Sequence, residues 1–599
     1  LPNYSGLGVT GMGGATNIPQ FRFANNWEYQ DTMTMVRGRH TFRFGADFLR
    51  QLARQHPPFN ERGSFVYAAS SGGTTGFANF LDDFGGTSGT LNRQFGSSIY
   101  YPNLFRQSYF GQDSWKTTNN LTLNIGLRYE YYGAPENAFT VAAFTNYDPI
   151  NFAAPHKVPS YKLNFGPSVG FSWNPKGEGW LNRAMGGEKM VWRGGFQVSY
   201  DSAFNNLLSN IAGSSPNTLG GTITSPSAGR GFANFSSLFA GIQPTAATAQ
   251  SPQNNLFLGD FPNPQTDRWS LGFERELPFE LVWDTSYVGS VSHHLYRTID
   301  MNPFVAPGVR FQPQVGARTV RSASANSNYE ALQFELKRRY KSTPLGAFLL
   351  HGSYTYAHFL DDVSDVFAFD STPSAVQSVS QVLGASPHID YGNSDFDRRH
   401  VGSIGFSWEI RSPKTALLRQ VLGGWKLAGI ADFQTGEPFT MTNGRDRDGD
   451  GQISPDRPDI SNPSAPLNTR ATRVSTVTCS TGFSNPDVGG GTCVDPNTVH
   501  WIEGIGLPNA RTVGRNTMFA PGFNNLDLSI AKAFKLGESR SFEYRVDMFN
   551  ATNTTNFITV PVRAIVGNVP KPGQPSAFLN FLNDNSIGRS MQMRLRLTW

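Results

Sequence analysis

The segment "DRDGDGQISPDRPD" combines residue types and spacing that suit a hard cation. Its acidic residues alternate and are followed by Gly451, as at positions 1, 3, 5 and 6 of a calcium-binding loop. The candidate ligands are Asp446, Asp448, Asp450, Gln452 through its carbonyl, Ser454 and Asp456. Position 12 is Arg457 instead of Glu, so Asp456 or Asp459 would have to complete the shell. The sequence predicts calcium as the one cofactor, with a solvated acidic turn as the alternative.

Two cysteines, Cys479 and Cys493, lie in one Gly-rich stretch, "TCSTGFSNPDVGGGTC". A single pair that closes a short loop is typical of a disulfide in an oxidising compartment, and two free thiols are the alternative. A zinc site is not supported, because no second pair of cysteines and no nearby histidine spacing accompanies them.

Other chemistry is not supported by the sequence. We find no nucleophile elbow, no zinc-binding helix pair and no carboxylates paired for acid–base catalysis, so we expect no enzyme. His293 and His294 are adjacent, and we assign His351 and His358 to one face of a strand; all four are expected to be scattered polar positions. The net charge is +5 over 599 residues, which is too small to indicate a nucleic-acid partner.

The last nine residues alternate strictly between apolar and polar side chains. Met591, Met593, Leu595, Leu597 and Trp599 are apolar, and each residue between them is polar. This period of two predicts a strand with one apolar and one charged face, and it recurs along the chain in segments of 10 to 16 residues. Globular strands are usually about 5 to 6 residues long, so a membrane-spanning role is favoured.

The connections between these segments alternate in length. Short turns are predicted at 116–120, 276–280, 341–346 and 535–539, and long Gly/Pro/Asn/Ser-rich stretches at 134–163, 203–265, 298–328, 364–396, 440–521 and 553–585. Short periplasmic turns and long extracellular loops are typical of outer-membrane barrels. We therefore predict an all-β, transmembrane antiparallel β-barrel in the outer membrane of a Gram-negative bacterium. Its apolar face would contact outer-membrane lipid.

The charged face of these strands would then line the lumen. Its charged residues are Arg128, Glu130, Glu335, Lys337, Glu543, Arg545, Asp547, Arg594 and Arg596. The terminal strand, with Met593, Leu595, Leu597 and Trp599, resembles the signal that barrel-assembly machinery reads at the C-terminus of outer-membrane proteins.

Several phrases resemble the barrel of TonB-dependent receptors, most closely the Oar-like branch. They are "RGRHTFRFGADFLRQ" (37–51), "SYFGQDSWKTTNNLTLNIGLRYEYYGAPEN" (108–137), "RGGFQVSYDSAFNN" (193–206), "YGNSDFDRRHVGSIGFSWEI" (391–410) and "GEPFTMTNGRDRDGDGQISPDRPD" (436–459). The resemblance implies an N-terminal plug domain and a TonB-contact box. Neither is visible here, so no energy-coupling residue is assigned.

Strand parity predicts that 1–599 is the C-terminal part of a larger barrel domain. We count about fifteen strands, and the first, roughly 21–36, leads into the tight turn "RGR" and so descends to the periplasm. Residues 1–20 would then lie outside. Barrels of this receptor type have about 22 strands, so about seven strands and the plug would precede this segment, and we expect no plug or signal peptide within 1–599.

The favoured function is a transporter that takes up a large or scarce solute through a plugged lumen. The partners would be lipid, the assembly machinery, the TonB system through the preceding region, and an unknown solute bound by loops such as 203–265 and 440–521. The alternative is a barrel that anchors surface loops for adhesion or structural assembly.

Overall fold

The computed structural model describes most of the chain. Residues outside the description are 134–140, 145–153, 157–159, 177–178, 181–186, 203–205, 216, 252, 258–261, 301, 303, 307, 366–389, 414, 446, 448–455, 489–490, 505–512, 537–539, 560–581 and 585–587. None of the described helices is long and apolar enough to cross a membrane.

Fifteen strands, numbered along the chain, form one antiparallel sheet of barrel type. They are β1 Phe21–Arg37, β2 His40–His56, β3 Leu104–Lys116, β4 Leu121–Tyr131, β5 Asn164–Trp173, β6 Met190–Tyr200, β7 Gln265–Leu277, β8 Leu281–Asp300, β9 Arg318–Thr343, β10 Gly346–Asp361, β11 His400–Ile410, β12 Trp425–Gln434, β13 Phe523–Lys535, β14 Ser541–Phe549 and β15 Ser590–Thr598. Each strand pairs with the next in sequence. The number of strands agrees with the sequence prediction.

The first and last strands form the edges of this sheet. Among the described strands, β1 pairs with β2 alone and β15 pairs with β14 alone. Side chains on both faces of the two edge strands are exposed, in β1 from Arg22 onward and in β15 throughout.

Alternation along the strands separates an apolar face from a polar one. Phe334 of β9 lies opposite Tyr354 of β10 on the apolar face, while the next residue, Glu335, lies opposite Ser353 on the polar face. The alternation of faces continues across the paired strands, with register shifts between β8 and β9 and between β9 and β10. It places every charged residue predicted for the lumen on the polar face. In an outer-membrane barrel the apolar face meets lipid and the polar face lines the interior.

Short and long connections alternate at the two ends of the sheet, as predicted. The short end has turns at 38–39, 117–120, 174–189, 278–280, 344–345, 411–424 and 536–540, and the long end has loops at 57–103, 132–163, 201–264, 301–317, 362–399, 435–522 and 550–589. All four predicted tight turns are at the short end. The C-terminal residue is at that end too, because Ser541, which follows a short turn, pairs with Thr598.

One predicted loop boundary was wrong. The loop predicted at 298–328 is shorter and spans 301–317, because β8 and β9 continue for 20 and 26 residues and pair beyond the apolar band. The sequence made no prediction for the long loop at 57–103. It made none for the turns at 174–189 and 411–424, which are longer than the tight turns at that end.

The connections carry the remaining secondary structure. The helices are α1 Gly76–Leu81, α2 Asn206–Ala212 and α3 Ala416–Leu422, and the 3₁₀ segments are Gly187–Lys189, Phe235–Gly241, Pro278–Glu280 and Pro496–Thr498. The short strands are Asn3–Ser5, Met12–Gly13, Ser64–Val66, Thr90–Phe95, Val141–Phe144, Ala154–His156, Leu219–Thr224, Gln253–Phe257, Phe304–Ala306, Val309–Arg310, Gly392–Asn393, Pro438–Phe439, Asp459–Ile460, Arg470–Arg473, Phe483–Ser484, Trp501–Ile502, Met518–Phe519, Phe557–Thr559 and Leu582–Asp584.

One cation, Lys532, lies on the apolar face of β13. Its ammonium donates to the carbonyl oxygens of Val421 (3.0 Å) and Gly423 at the C-terminal end of α3, and it lies 5.2 Å from the ring centre of Trp425. The carbonyls at a helix C-terminus carry partial negative charge, which stabilises a nearby cation. Lys532 thus reaches the periplasmic edge of the apolar band instead of placing its charge in lipid.

The facing of β15 generates a prediction about assembly. Leu595→Arg places a charge on the lipid-facing side, where it costs roughly 2–4 kcal/mol near the midplane. We expect a marked fall in the amount of protein in the outer membrane, measured by immunoblotting of membrane fractions from cells that express the full-length protein. Arg596→Ser, on the polar face of the same strand, should have a much smaller effect. Deletion of Trp599 should also reduce assembly. Equal losses from Leu595→Arg and Arg596→Ser would show that the facing is wrong.

Candidate functional site: the charged inner wall and the loop domains

The polar face of the sheet carries charged pairs that bridge neighbouring strands. Arg193 of β6 lies 3.9 Å from Glu274 of β7, and the Glu335 carboxylate of β9 lies 2.6 Å from the His351 ring of β10. Near the last strand, Arg594 lies 3.4 Å from Glu543. Such pairs stabilise cross-strand contacts only modestly. Their arrangement produces a wall of mixed charge rather than a patch of one sign.

These inner-wall side chains remain accessible. Lys426 and Glu409 form a pair at 3.7 Å, yet their side chains keep 49% and 50% of their accessible surface. Arg193 keeps 60%. Barrels of about eight strands fill their interior with their own side chains, whereas wider barrels hold a channel or a plug. The inner wall of this sheet is therefore not packed against itself.

A recess of about 410 Å³ lies in the inner wall across β2 to β6. Arg128 lines it and donates to Glu130 (2.7 Å) and to the Ser108 hydroxyl (2.9 Å). Gly126 forms part of its floor, and a Cβ there would lie only 2.8 Å from the Ser168 hydroxyl. Glycine is thus needed for the close approach of the strands. The recess offers charged and hydroxyl groups to a polar molecule. The alternation in "LTLNIGLRYEYY" predicted which side chains lie on the inner face, but it did not predict a recess there.

The N-terminal residues and two loops build a first loop domain at the long end. Asn3–Ser5, Met12–Gly13, Ser64–Val66, Thr90–Phe95 and Leu219–Thr224 form a five-stranded sheet. Its hydrophobic core contains Leu7, Phe65, Tyr67, Leu91, Phe235 and Ile242. Residues 1–20 therefore lie on the loop side, as strand parity predicted.

Asp83 links the parts of this first loop domain. Its carboxylate accepts hydrogen bonds from the Tyr67 hydroxyl (3.1 Å) and from the Ser236 hydroxyl (2.7 Å) and amide (2.9 Å). Burial, together with the neighbouring Asp83 carboxylate, raises the pKa of Tyr67 above its ordinary value. Tyr67 therefore stays protonated and donates its hydrogen bond at neutral pH.

The loop 435–522 contains a second loop domain. Asp459–Ile460, Trp501–Ile502, Arg470–Arg473 and Phe483–Ser484 form its four-stranded sheet. Cys479 and Cys493 form a disulfide in it, with an S–S distance of 2.06 Å. The fully buried Arg470 pairs with Asp487 at 2.7 Å.

Buried charges connect this second loop domain to the rim of the sheet. The Arg515 guanidinium pairs with Asp361, the last residue of β10, and both side chains are almost fully buried. Burial raises the pKa of Asp361, although the neighbouring Arg515 acts in the opposite direction. Arg457 pairs with Asp390 at 2.6 Å and joins the loop 435–522 to the loop 362–399. Arg457, which departs from the calcium-loop pattern, is thus used for docking.

Hydrogen bonds hold the two ends of the calcium-like segment together. The Asn443 amide donates to the Asp456 carbonyl (2.6 Å), and the Arg447 amide donates to the Asp456 carboxylate. The Arg447 side chain in turn binds the buried Glu503. Asp446, Asp448, Asp450, Gln452 and Ser454 lie outside the described residues. Calcium binding stays a prediction, and Asp456 and Asp459 are the candidate ligands whose positions are described.

The histidines do not form a cluster. His351 is on the inner wall beside Glu335, whereas His358, seven positions along β10, is on the other face and lies 3.1 Å from Asn393. Assigning them to one face was wrong, because residues an odd number apart in a strand point to opposite faces. His293 lies 3.2 Å from Asn326. Among the described residues there is no group of three or more potential metal ligands from His, Cys, Asp and Glu.

A model of the family described as "Outer membrane beta barrel domain" matches residues 1–592. The chain belongs to this outer membrane beta-barrel domain family. Its location is therefore the outer membrane of a Gram-negative bacterium, and it is a membrane barrel protein, not an enzyme, as the sequence predicted. No curated protein matches the chain.

Solved structures of outer-membrane proteins also match this barrel chain. The outer membrane transporter YddB from Escherichia coli has 9% identity and a TM-score of 0.48, with 96% of this chain and 55% of that chain covered. The ferripyoverdine receptor of Pseudomonas aeruginosa has 9% identity, a TM-score of 0.41 and coverage of 97% and 48%. The siderophore receptor PirA from Acinetobacter baumannii has 9% identity, a TM-score of 0.42 and coverage of 97% and 55%. The chain spans about half the length of each.

The buried pair at the rim predicts how the second loop domain is held. Arg515→Met leaves the Asp361 carboxylate buried without its partner, which costs about 3–5 kcal/mol. We expect faster amide hydrogen exchange at residues 513–520 and faster proteolysis of the loop 435–522. Arg398→Met is the matched control, because Arg398 pairs with Glu437 between the same two loops but is more exposed. Equal effects of the two substitutions would contradict the role of burial.

The calcium-like segment predicts a cation-dependent change in protection. Three alternating carboxylates repel one another without a cation, so chelator should increase cleavage within 440–460 of the detergent-purified protein. The affinity should be weak, on the order of 10⁻⁴ to 10⁻³ M, because the bidentate Glu is absent. Asp448→Ala combined with Asp450→Ala should make the cleavage independent of calcium. Identical cleavage of the unmodified protein with calcium and with chelator would leave a solvated turn as the correct interpretation.

Proposed function

We propose that this chain is the C-terminal part of the barrel of a TonB-dependent transporter, of the Oar-like branch that its sequence phrases resemble. The observation that carries the proposal is the accessible, charged inner wall. A fifteen-stranded sheet with such a wall is wider than an anchor requires, and it encloses a polar path once closed. The solute would be taken up past a plug domain supplied by a preceding region.

The outer edges of β1 and β15, which pair with no other described strand, support additional strands in this proposal. A strand edge in hydrocarbon leaves backbone N–H and C=O groups without partners, which costs several kcal/mol for each group. About seven further strands would pair these edges and give the 22 strands of plugged transporters. The barrel-assembly machinery would recognise β15, and the TonB system would act through the preceding region.

Solute capture in this proposal uses the two loop domains. Both lie at the extracellular end, and the second is held by a disulfide and buried ion pairs. A rigid loop domain binds with less loss of conformational freedom than a flexible loop. The recess beside Arg128 would be a polar contact for the plug or the solute within the lumen.

A surface anchor is the second candidate function. It is favoured by the first loop domain, which has a core of its own and thus resembles a display module more than a simple loop. The two functions differ in whether the lumen responds to energy from the inner membrane. The region of the gene that precedes this chain also distinguishes them, since transport requires a plug and a TonB-contact box.

Cysteine labelling in intact cells tests transport. Both cysteines of residues 1–599 are in the disulfide, so an introduced cysteine is the one reactive thiol of this segment, and any cysteine of the preceding region is first replaced by serine. Ser168→Cys places a thiol in the inner-wall recess, and Val477→Cys places one at a side chain that is 96% exposed. Labelling by a membrane-impermeant maleimide should be slower at position 168 when a protonophore removes the inner-membrane potential. Labelling at position 477 should not change. Energy-independent labelling at position 168 would favour the anchor.

A further inference from the structure

The lipid-facing side of the edge strand β1 carries one carboxylate, that of Asp31. The side chains before and after it on this side of the strand are Tyr29 and Met33. On β2, Asp31 lies opposite Ala46, which is flanked on the same side by two phenylalanines. The Asp31 side chain is exposed and makes no hydrogen bond or ion pair with another described residue. Its charge therefore lies on an otherwise apolar surface.

The height of Asp31 places it inside the apolar band. It precedes Arg37, which lies opposite His40 beside the short turn, by six residues. Six residues of strand extend about 20 Å, or about 15 Å in height at a tilt of about 40°. The band is about 25 Å tall, so the carboxylate lies nearer to its middle than to either edge. The short side chain of aspartate cannot reach water from there, whereas the long side chain of Lys532 reaches the membrane edge.

A partner for Asp31 has to come from the outer edge of β1. On the other side of the strand, β2 presents only apolar side chains around Ala46. The last strand cannot provide a partner, because β15 runs from the loop end to the short-turn end, as β1 does, and the two could pair only in parallel. The lipid-facing side chains at the C-terminus are also uncharged; they are Met591, Met593, Leu595, Leu597 and Trp599.

We propose that the strand that pairs with the outer edge of β1, here called the seam strand, carries a lysine or arginine opposite Asp31. The two side chains would form an ion pair on the lipid-facing side of the sheet. A cation suits this position better than a neutral donor, because an ionised carboxylate in hydrocarbon is stabilised chiefly by a charged partner. The proposal rests on the additional strands of the proposed function, but not on transport.

The ion pair would also select one register of the seam strand. A shift of one residue would turn the cation to the inner face and leave Asp31 alone in lipid. A shift of two residues would keep the face but move the cation about 7 Å along the strand. Single polar or charged contacts in an apolar interface are known to specify register in this way. Asp31 would thus determine how the preceding region joins this part of the barrel.

The rate of unfolding of the full-length protein in urea tests the ion pair. The folded fraction in detergent micelles is measured from the heat-modifiable band on gel electrophoresis. Asp31→Leu would leave the cation of the seam strand unpaired in hydrocarbon, so unfolding should be at least about tenfold faster. Asp31→Asn keeps the shape but removes the charge, and it should also accelerate unfolding. Asp31→Glu keeps the charge and should unfold at close to the rate of the unmodified protein.

Asn25→Leu is the matched control. Asn25 is a neutral polar residue on the same lipid-facing side of the same edge strand, opposite Leu52. Its replacement by leucine should not accelerate unfolding. If Asp31→Leu does not reach the outer membrane while Asp31→Glu and Asn25→Leu do, the loss of assembly supports the ion pair in the same way.

Two results would overturn the proposal. If Asp31→Leu unfolds as slowly as the unmodified protein, or more slowly, the carboxylate has no cationic partner, because an apolar side chain then suits the position at least as well. If Asp31→Asn unfolds at the unmodified rate, the partner on the seam strand is a neutral donor. Neither result bears on transport, which labelling at position 168 decides separately.

Discussion

The backbone hydrogen bonds between neighbouring strands are the constraint on which the rest of this structure depends. Hydrocarbon offers no partner for an N–H or C=O group, so a chain crosses it as strands only if each strand pairs with its neighbours. Thirteen of the fifteen barrel strands pair on both sides, from β2 with β1 and β3 to β14 with β13 and β15. Among the described strands, the outer edges of β1 and β15 have no pairing partner. The proposed transporter therefore includes additional strands that pair with these edges.

The same pairing locks the faces of the sheet, because a slip of one residue would exchange the lipid-facing and inner side chains. Two polar groups on the apolar face, those of Lys532 and His40, lie near the membrane edge. Lys532 binds carbonyls of the 411–424 turn. His40 pairs with Asp113 at 2.6 Å beside the turn at 38–39 and stacks with Phe42 and Trp115. Both are near the short-turn end, where charge and polar groups reach water and lipid headgroups.

The loops follow a different principle. Outside the membrane, water can satisfy backbone groups, so loops fold only where they bury enough apolar surface or close enough cross-links. The first loop domain uses a hydrophobic core drawn from three separate parts of the chain. The second uses the Cys479–Cys493 disulfide and buried pairs such as Arg515 with Asp361. These devices give each loop domain a fixed surface at the mouth of the barrel.

Much of the fold could be predicted from the sequence, because the alternation that specifies it is local. Residues such as Leu121 to Tyr131 or Met591 to Trp599 reveal their strand, their lipid-facing side and their charged side without reference to any other segment. The alternation of short and long connections, the loop-side position of residues 1–20 and the number of strands followed from the same local pattern. The disulfide partners could be named because the chain contains two cysteines.

Tertiary structure alone decided the contacts between distant segments. Nothing local indicates that Asp83 binds Ser236, that Arg515 is buried against Asp361, or that Lys532 finds carbonyls at the end of α3. The extent of β8 and β9 beyond the membrane was also missed, because their upper halves carry buried polar residues such as Arg297 and Arg318 instead of an alternating pattern. The inner recess at Gly126 arises where the side chains of neighbouring strands are brought into register. A recess cannot be predicted from a local sequence pattern, because side chains from several strands form it and only the folded sheet brings them together.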